Sequence, residues 1–519
     1  MEKTSIKERA LKNISYSMIS FMWPVLIALV VTPIIVRYFG IKEYGIYIFI
    51  NTLVSLAGLL DIGFASAVSK FMSERHSGND KEGLRNLFIT SNTIFFVIGI
   101  IGACFIMSSV FVGLAIFPGQ VTSSYEIYIP AFIYAGILFF INSINSLHVI
   151  IPTAYQRFDV GSKIGLPFIT IQQVGILLVV FFGWSINTLF LFQTLLMLFF
   201  YFVYKKYTMI VVGEDEKKFL SVYGWSKEEA FSCYTFGIVS FINNLAGVSL
   251  TYLDRMIIPI FLGPSNLTYY SLPGSITNKI PSFSATLSSI VFPMTAHFEG
   301  GGNRDMTRNL YLRSMRLIIV ISTAVSVTFI VFAYQILQFW INKDLADKAT
   351  KVLIILAVTN LVLAVIGLLN NVLLAMSKLR SLITTSIVTA LINAVLLILL
   401  LPRFGIEGAA YAYLFALSPY VFLIYVTEKK YLNLSLRKKH YIKLFYHLFF
   451  TSLVTVVVDY FFIRQFITNF FSVIIALVFS FSFFIGIYYY FGFFEKEDTG
   501  DILSFLKNNR FLKFKNKDY

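Results

Sequence analysis

Fourteen apolar runs follow one another along the chain, each long enough to carry a helix across a bilayer, which takes roughly 20 residues. They cover 14–36, 45–70, 87–115, 127–154, 163–183, 186–204, 231–261, 267–296, 314–340, 352–376, 381–401, 406–427, 442–463 and 469–493. No other feature constrains the fold as strongly. Backbone inside lipid has to satisfy its own hydrogen bonds, and only helices and closed barrels do so. These runs are too long for barrel strands and lack in–out alternation. Gly, Pro, Asn and charged residues punctuate them, as turns require. The expectation is an all-α integral membrane protein with about fourteen transmembrane helices. Composition agrees: 57% of the 519 residues are hydrophobic and 13% are charged. A soluble domain cannot enclose that much apolar surface beneath a polar shell. The two cysteines, Cys104 and Cys233, fall in different runs and read as small buried packing residues.

Loop charge orients the spans. With a cytoplasmic N-terminus, 33 of the 42 Lys and Arg residues fall on the cytoplasmic side and 7 on the outer side. Arg255 and Lys279 lie within spans. The net charge of +15 is then mostly membrane topology, and with no soluble domain to carry a basic patch no nucleic-acid partner is expected. Lys3, Lys7, Arg9 and Lys12 ahead of the first run resemble a signal peptide. The run is too long for one and no small-residue cleavage site follows, so it reads as an uncleaved first span.

Residues 38–88 align without gaps onto 261–311, at an offset of 223. Arg85-Asn86-Leu87-Phe88 meets Arg308-Asn309-Leu310-Tyr311 at the far end of that alignment. An offset of six spans keeps both copies in the same orientation, which makes a parallel repeat about an axis along the membrane normal. The expected organisation is an N-terminal lobe, 1–207, and a C-terminal lobe, 229–430, related by a pseudo-two-fold. A cytoplasmic linker, 208–228, joins them, spans 13 and 14 (431–495) are added outside the repeat, and 496–519 is a cytoplasmic tail.

Outer loops of about eleven residues at most leave no room for a soluble catalytic domain. There is no GxxxxGK[ST] loop, no HExxH, no CxxC and no metal-spaced His cluster. No enzyme activity, metal or cofactor is expected; a transporter is.

Six strings then carry a family resemblance. They are Arg37-Tyr-Phe-Gly-Ile-Lys-Glu-Tyr-Gly-Ile-Tyr47, Leu59-Leu-Asp-Ile-Gly-Phe64, Ala154-Tyr-Gln-Arg-Phe-Asp159, Tyr252-Leu-Asp-Arg-Met-Ile-Ile258, Val291-Phe-Pro-Met-Thr295 and Pro402-Arg-Phe-Gly-Ile-Glu-Gly-Ala-Ala410. In that order and at those depths the chain resembles the Wzx-type polysaccharide flippases of the multidrug/oligosaccharidyl-lipid/polysaccharide exporter superfamily. The resemblance implies a transporter that moves a polyprenyl-diphosphate-linked oligosaccharide from the cytoplasmic to the outer leaflet of a bacterial cytoplasmic membrane. It also implies membrane lipids, a polysaccharide polymerase and glycosyltransferases as partners. Two other functions compete. One is a cation-coupled multidrug exporter of the same superfamily, typically with twelve spans. The other is a non-transporting scaffold for glycan assembly, which needs no cation at mid-membrane.

An ionisable group inside a span costs a few kcal/mol and tends to face a polar cavity. Lys279 lies twelve residues into span 8, about 18 Å deep. It is flanked by Pro273-Gly274-Ser275 and Pro281-Ser282, which loosen the helix and free backbone groups. A cation there suits a diphosphate; the alternative is a carboxylate partner that holds the lobes together. Arg255 follows Asp254 in span 7 and is either a second substrate cation or half of an interhelical salt bridge. Asp61 in span 2 is a packing or gating carboxylate or a coupling-ion ligand, and Asp254 joins it as a gating or coupling candidate. Asn142, Asn145 and His148 recur every third residue on span 4 and make one polar stripe. With Asn243, Asn244, Thr277, Asn278, Tyr269 and Tyr270 they are candidate sugar contacts, or polar glue between helices.

Overall fold

A computed structural model describes residues 6–116, 126–213, 217–220, 222–434 and 438–493. The expected tail 496–519 and Glu214, Asp215 and Glu216 of the linker lie outside the described residues. Among the described residues every regular element is helical. The first six are α1 (Ile6–Ala57), α2 (Phe64–Ser77), α3 (Lys81–Ile116), α4 (Ile129–Ala154), α5 (Phe158–Phe181) and α6 (Ile186–Val211). Next come α7 (Lys227–Leu262), α8 (Pro264–Thr277), α9 (Lys279–Gly300), α10 (Arg304–Val331), α11 (Ala333–Trp340) and α12 (Lys343–Ala375). The last are α13 (Leu379–Ala416), α14 (Ser418–Val426), α15 (Lys438–Val458) and α16 (Phe470–Tyr490). Ten stretches of the described residues are long and apolar enough to cross a membrane. Two of them, Ile27–Asp61 and Leu379–Tyr431, each join two helices end to end, at Gly40 and at Gly405. The expected seventh and eighth spans fall on α7 and on α8–α9. The protein is a multi-pass membrane protein.

The chain divides into two compact units, Met1–Thr268 and Tyr269–Tyr519. In the first, Phe64, Phe88, Phe132 and Phe190 are fully enclosed. Tyr311, Phe332 and Phe484 are fully enclosed in the second. Cys233 belongs to the first core, whereas Cys104 is exposed. The expectation of two buried thiols therefore fails for Cys104. An apolar span needs no protein neighbour on its lipid side, so apolar sequence alone does not say which residues are enclosed. Phe445, Phe449, Phe471 and Val478 on α15 and α16 are exposed in the same way.

Local backbone repeats with the sequence. Gly40 (φ 78°, ψ 170°) and Gly263 (φ 85°, ψ 166°) sit at equivalent reversals, 223 residues apart. Asn79 and Gly302, with the same offset, both take left-handed φ after a helix end. The residue after each caps the next helix: Gly83 N donates to Asp80 Oδ1 (2.9 Å) and Met306 N donates to Asn303 Oδ1 (3.3 Å). Gln156 and Ser377 share φ 58°. Each is followed by a residue whose N–H reaches back five positions, Arg157 to Pro152 O (2.7 Å) and Lys378 to Leu373 O (2.8 Å). This left-handed helix stop satisfies the last carbonyls of the helix before it.

Span 2 is not continuous. Ile62 (φ 46°) and Gly63 (φ 73°) break it between a short turn, Gly58–Asp61, and α2. Asp61 bridges the break: Ala65 N–H donates to both of its carboxylate oxygens, at 3.0 and 3.2 Å. A carboxylate at a helix N-terminus satisfies orphan donors and meets the positive end of the dipole. In the first unit α7 runs along this broken span. Gly63 and Gly237 meet backbone to backbone, and Phe64 lies on Tyr234 with ring centroids 5.4 Å apart. Lys70 lies over the ring of Phe236 at 4.5 Å, and Arg75 pairs with Glu229 at 2.6 Å.

The described part of the expected linker is docked rather than loose. Asn92 Nδ2 donates to the carbonyls of Leu220 (3.1 Å) and Val222 (3.0 Å). Thr93 Oγ1 donates to Gly224 O (2.7 Å), and Ser226 N donates to Thr90 Oγ1 (3.0 Å).

Candidate substrate site in the broken eighth span

In the second unit the expected eighth span is split into α8 and α9 at Asn278. The sequence explains where. Pro281 has no N–H to give to the carbonyl of Thr277, and its ring crowds that carbonyl. The helix therefore stops at Thr277 and restarts at Lys279. The break is held from the side. Asn360 of α12, fully buried, donates from Nδ2 to Thr277 Oγ1 at 3.0 Å and to Leu356 O at 2.9 Å. Thr277 Oγ1 in turn donates to Pro273 O at 3.1 Å.

The polar residues of this break share one side. Ser275 and Asn278 are exposed, and Lys279 and Ser282 are partly exposed, while Thr277 and Ile280 between them are buried. Spacings of three, four and seven residues put the four on one helical face. Ser282 Oγ donates to Asn278 O at 2.9 Å. Among the described residues Lys279 makes no ion pair and no hydrogen bond. Its ammonium keeps three donors for something else.

The other candidates are placed differently. Tyr270 is buried. Tyr269 ties the start of α12: its hydroxyl donates to Asp344 Oδ2 at 2.6 Å and accepts from Lys348 Nζ at 3.0 Å. In the first unit Asp254 is buried and Arg255 partly exposed, so the two lie on different faces of α7. Asn145 (1% exposed) and His148 (2%) are enclosed within the helices, His148 edge-on to Tyr201. Of that stripe only Asn142 is exposed. The side chains of Asn243 and Asn244 lie outside the described residues. Sequence reasoning missed Asn360 and Asn92; an amide inside an apolar run was the signal in both cases.

A family profile described as polysaccharide biosynthesis protein matches residues 34–347. A probable low-salt glycan biosynthesis flippase of Haloferax volcanii is 23% identical over 187 residues, 36% of this chain and 39% of that protein. A putative O-antigen transporter of Shigella flexneri is 21% identical over 423 residues, 77% of this chain and 93% of that protein. The chain thus spans well under half of the first relative and nearly all of the second. Among solved structures, the lipid II flippase MurJ in an inward closed conformation is similar, with a TM-score of 0.72 at 14% identity, over 92% of this chain and 98% of that one. An inward-facing multidrug resistance MATE family transporter of the MOP superfamily gives 0.66 at 13% identity, over 82% and 99%. At such identities the likeness is one of fold.

Proposed function

The chain belongs to the polysaccharide biosynthesis protein family, and on that premise we propose that it flips a polyprenyl-diphosphate-linked oligosaccharide across a bacterial cytoplasmic membrane. The observation that carries this reading is Lys279, a cation without a partner among the described residues, on the open polar face of a broken span. A diphosphate and its sugars cannot cross hydrocarbon bare, because each polar group stripped of water costs several kcal/mol. The chain has to replace that water in passing. Lys279 meets the diphosphate as a mobile point charge. Ser275, Asn278 and Ser282 supply hydroxyls and an amide to the first sugars, while the prenyl tail stays in lipid. The two names among the relatives, a glycan biosynthesis flippase and an O-antigen transporter, support the same substrate class.

In this proposal fourteen spans form two six-span lobes, 1–207 and 229–430, about a parallel pseudo-two-fold, with spans 13 and 14 outside them. The matched turns 223 residues apart support the repeat. Both termini are cytoplasmic, and a polymerase and glycosyltransferases act before and after the flip. The direct test uses purified protein in liposomes with a fluorescent prenyl-diphosphate sugar in one leaflet. Protein-dependent appearance of the label in the other leaflet is expected. Equal rates with and without protein would end the proposal.

Orientation is checked separately. Single cysteines at 75–82 and 300–305, in a cysteine-free background, are expected to react with an impermeant maleimide only after the membrane is opened. Labelling of either turn in intact cells would reverse the topology.

A further inference from the structure

We propose that Asp459, Ser480 and Thr328 form a proton-binding site at mid-membrane, in which the Asp459 carboxyl holds a proton at neutral pH. Asp459 opens a wide π-type turn, Asp459–Ile463, directly after α15, and it is fully buried. Such turns inside helices recur at functional positions. Ser480 is the eleventh of the 21 residues of α16, so it lies about 15 Å from either end. Asp459 Oδ2 and Ser480 Oγ are 2.5 Å apart, Ser480 Oγ and Thr328 Oγ1 are 3.0 Å apart, and Thr328 Oγ1 is 2.8 Å from Ala324 O.

Proton counting assigns the state. Three links join four oxygens, and each link takes one proton. The two hydroxyls bring two, and the Ala324 carbonyl brings none. The third proton belongs to the carboxyl. The chain then runs in one direction: Asp459 donates to Ser480, Ser480 to Thr328, and Thr328 to the helix carbonyl. If Asp459 were ionised, one of the three contacts would set two lone pairs face to face. The other carboxyl oxygen, Oδ1, is buried with no hydrogen-bond partner. That is tolerable for a neutral acid and costly for an anion.

No cation stands in for the proton among the described residues. The charged residues of α10 end at Arg316, twelve positions before Thr328 and about 18 Å away along the helix. Those of α15 end at His447, equally far from Asp459. Arg464, beyond the turn, lies over the ring of Tyr460 at 5.1 Å. On α16 the titratable groups are Tyr488, Tyr489 and Tyr490 at its far end. On α11, which also packs on α16, Tyr334 donates to Asp347 at 3.0 Å. At 2.5 Å the Asp459–Ser480 contact has no room for a metal ion between its oxygens. The ligand is a proton, and it seals the last two helices onto α10 for as long as it is bound.

Infrared difference spectroscopy on the full chain in lipid nanodiscs at neutral pH tests this. Subtracting Asp459→Asn from the unaltered protein is expected to remove one carboxylic-acid C=O stretch and no carboxylate stretch. Asparagine keeps a donor for Ser480, so the variant should reach its normal level in the membrane. Ser480→Ala breaks the relay and is expected to move the same C=O stretch to higher frequency, which reads the site even if Asp459→Asn folds poorly. A carboxylate band in the first difference, or an unmoved acid band in the second, would overturn the proposal.

Discussion

Replacing Lys279 with Ala is expected to abolish glycan export while the protein remains at its normal level in the membrane. One unit of charge at about 4 Å in a partly wet protein environment interacts by roughly 4 kcal/mol. Losing it from the loaded intermediate corresponds to about a thousandfold in occupancy. Among the described residues Lys279 has no partner to be orphaned by the change, and it is only partly buried. Stability should therefore move little, which separates a transport defect from a folding defect. Lys279→Arg keeps the charge and is expected to retain part of the export. Its planar fork binds a phosphate more tightly than a flexible ammonium and releases it more slowly. Export of glycan by Lys279→Ala at the normal rate would remove this residue from the site.

Gly63→Val is expected to destabilise the first unit strongly. A β-carbon at Gly63 would lie 2.5 Å from the carbonyl oxygen of Gly237, and 3.1 and 3.2 Å from its C and Cα. Both sides of that contact are backbone, so neither has a rotamer by which to yield. The left-handed φ of 73° adds about 1–2 kcal/mol for any side chain. Overpacking of a tight contact costs about 1–3 kcal/mol more. A drop of several degrees in thermal midpoint is expected, together with loss of the contact between α2 and α7. Cysteines placed at Lys70 and Phe236, whose long side chains meet across that contact, should be bridged by a bifunctional maleimide in the parent protein and not in Gly63→Val. A variant with unchanged midpoint and unchanged cross-linking would show that the glycines are not what lets these helices approach.

The helical, membrane-spanning class of this protein is legible in its sequence because lipid imposes it locally. Every backbone group must find a partner within its own segment, so an apolar run of sufficient length has one solution whatever its neighbours do. The break in span 8 is local for the same reason, since Pro281 acts on a carbonyl four residues away. The reversals at Gly40 and Gly263 are also written in the chain, in the one residue type that takes their φ freely. Enclosure is not local. Asn145, His148 and Lys279 are all polar residues in apolar runs, yet the first two are enclosed by helices and the third is partly open, with no partner among the described residues. That difference depends on which helix lies against which face. The same holds for Asn360, which reaches Thr277 across 83 positions of sequence. It holds again for Asp459, where the hydroxyls that decide its proton come from two other helices. The sequence by itself determined that the chain is helical and membrane-spanning, and where helices such as those at Gly40, Gly263 and Pro281 turn or stop, because those events are settled within a few residues. Only the tertiary structure decided which polar groups are consumed by packing and which remain free for a substrate, because that depends on neighbours brought together from distant parts of the chain.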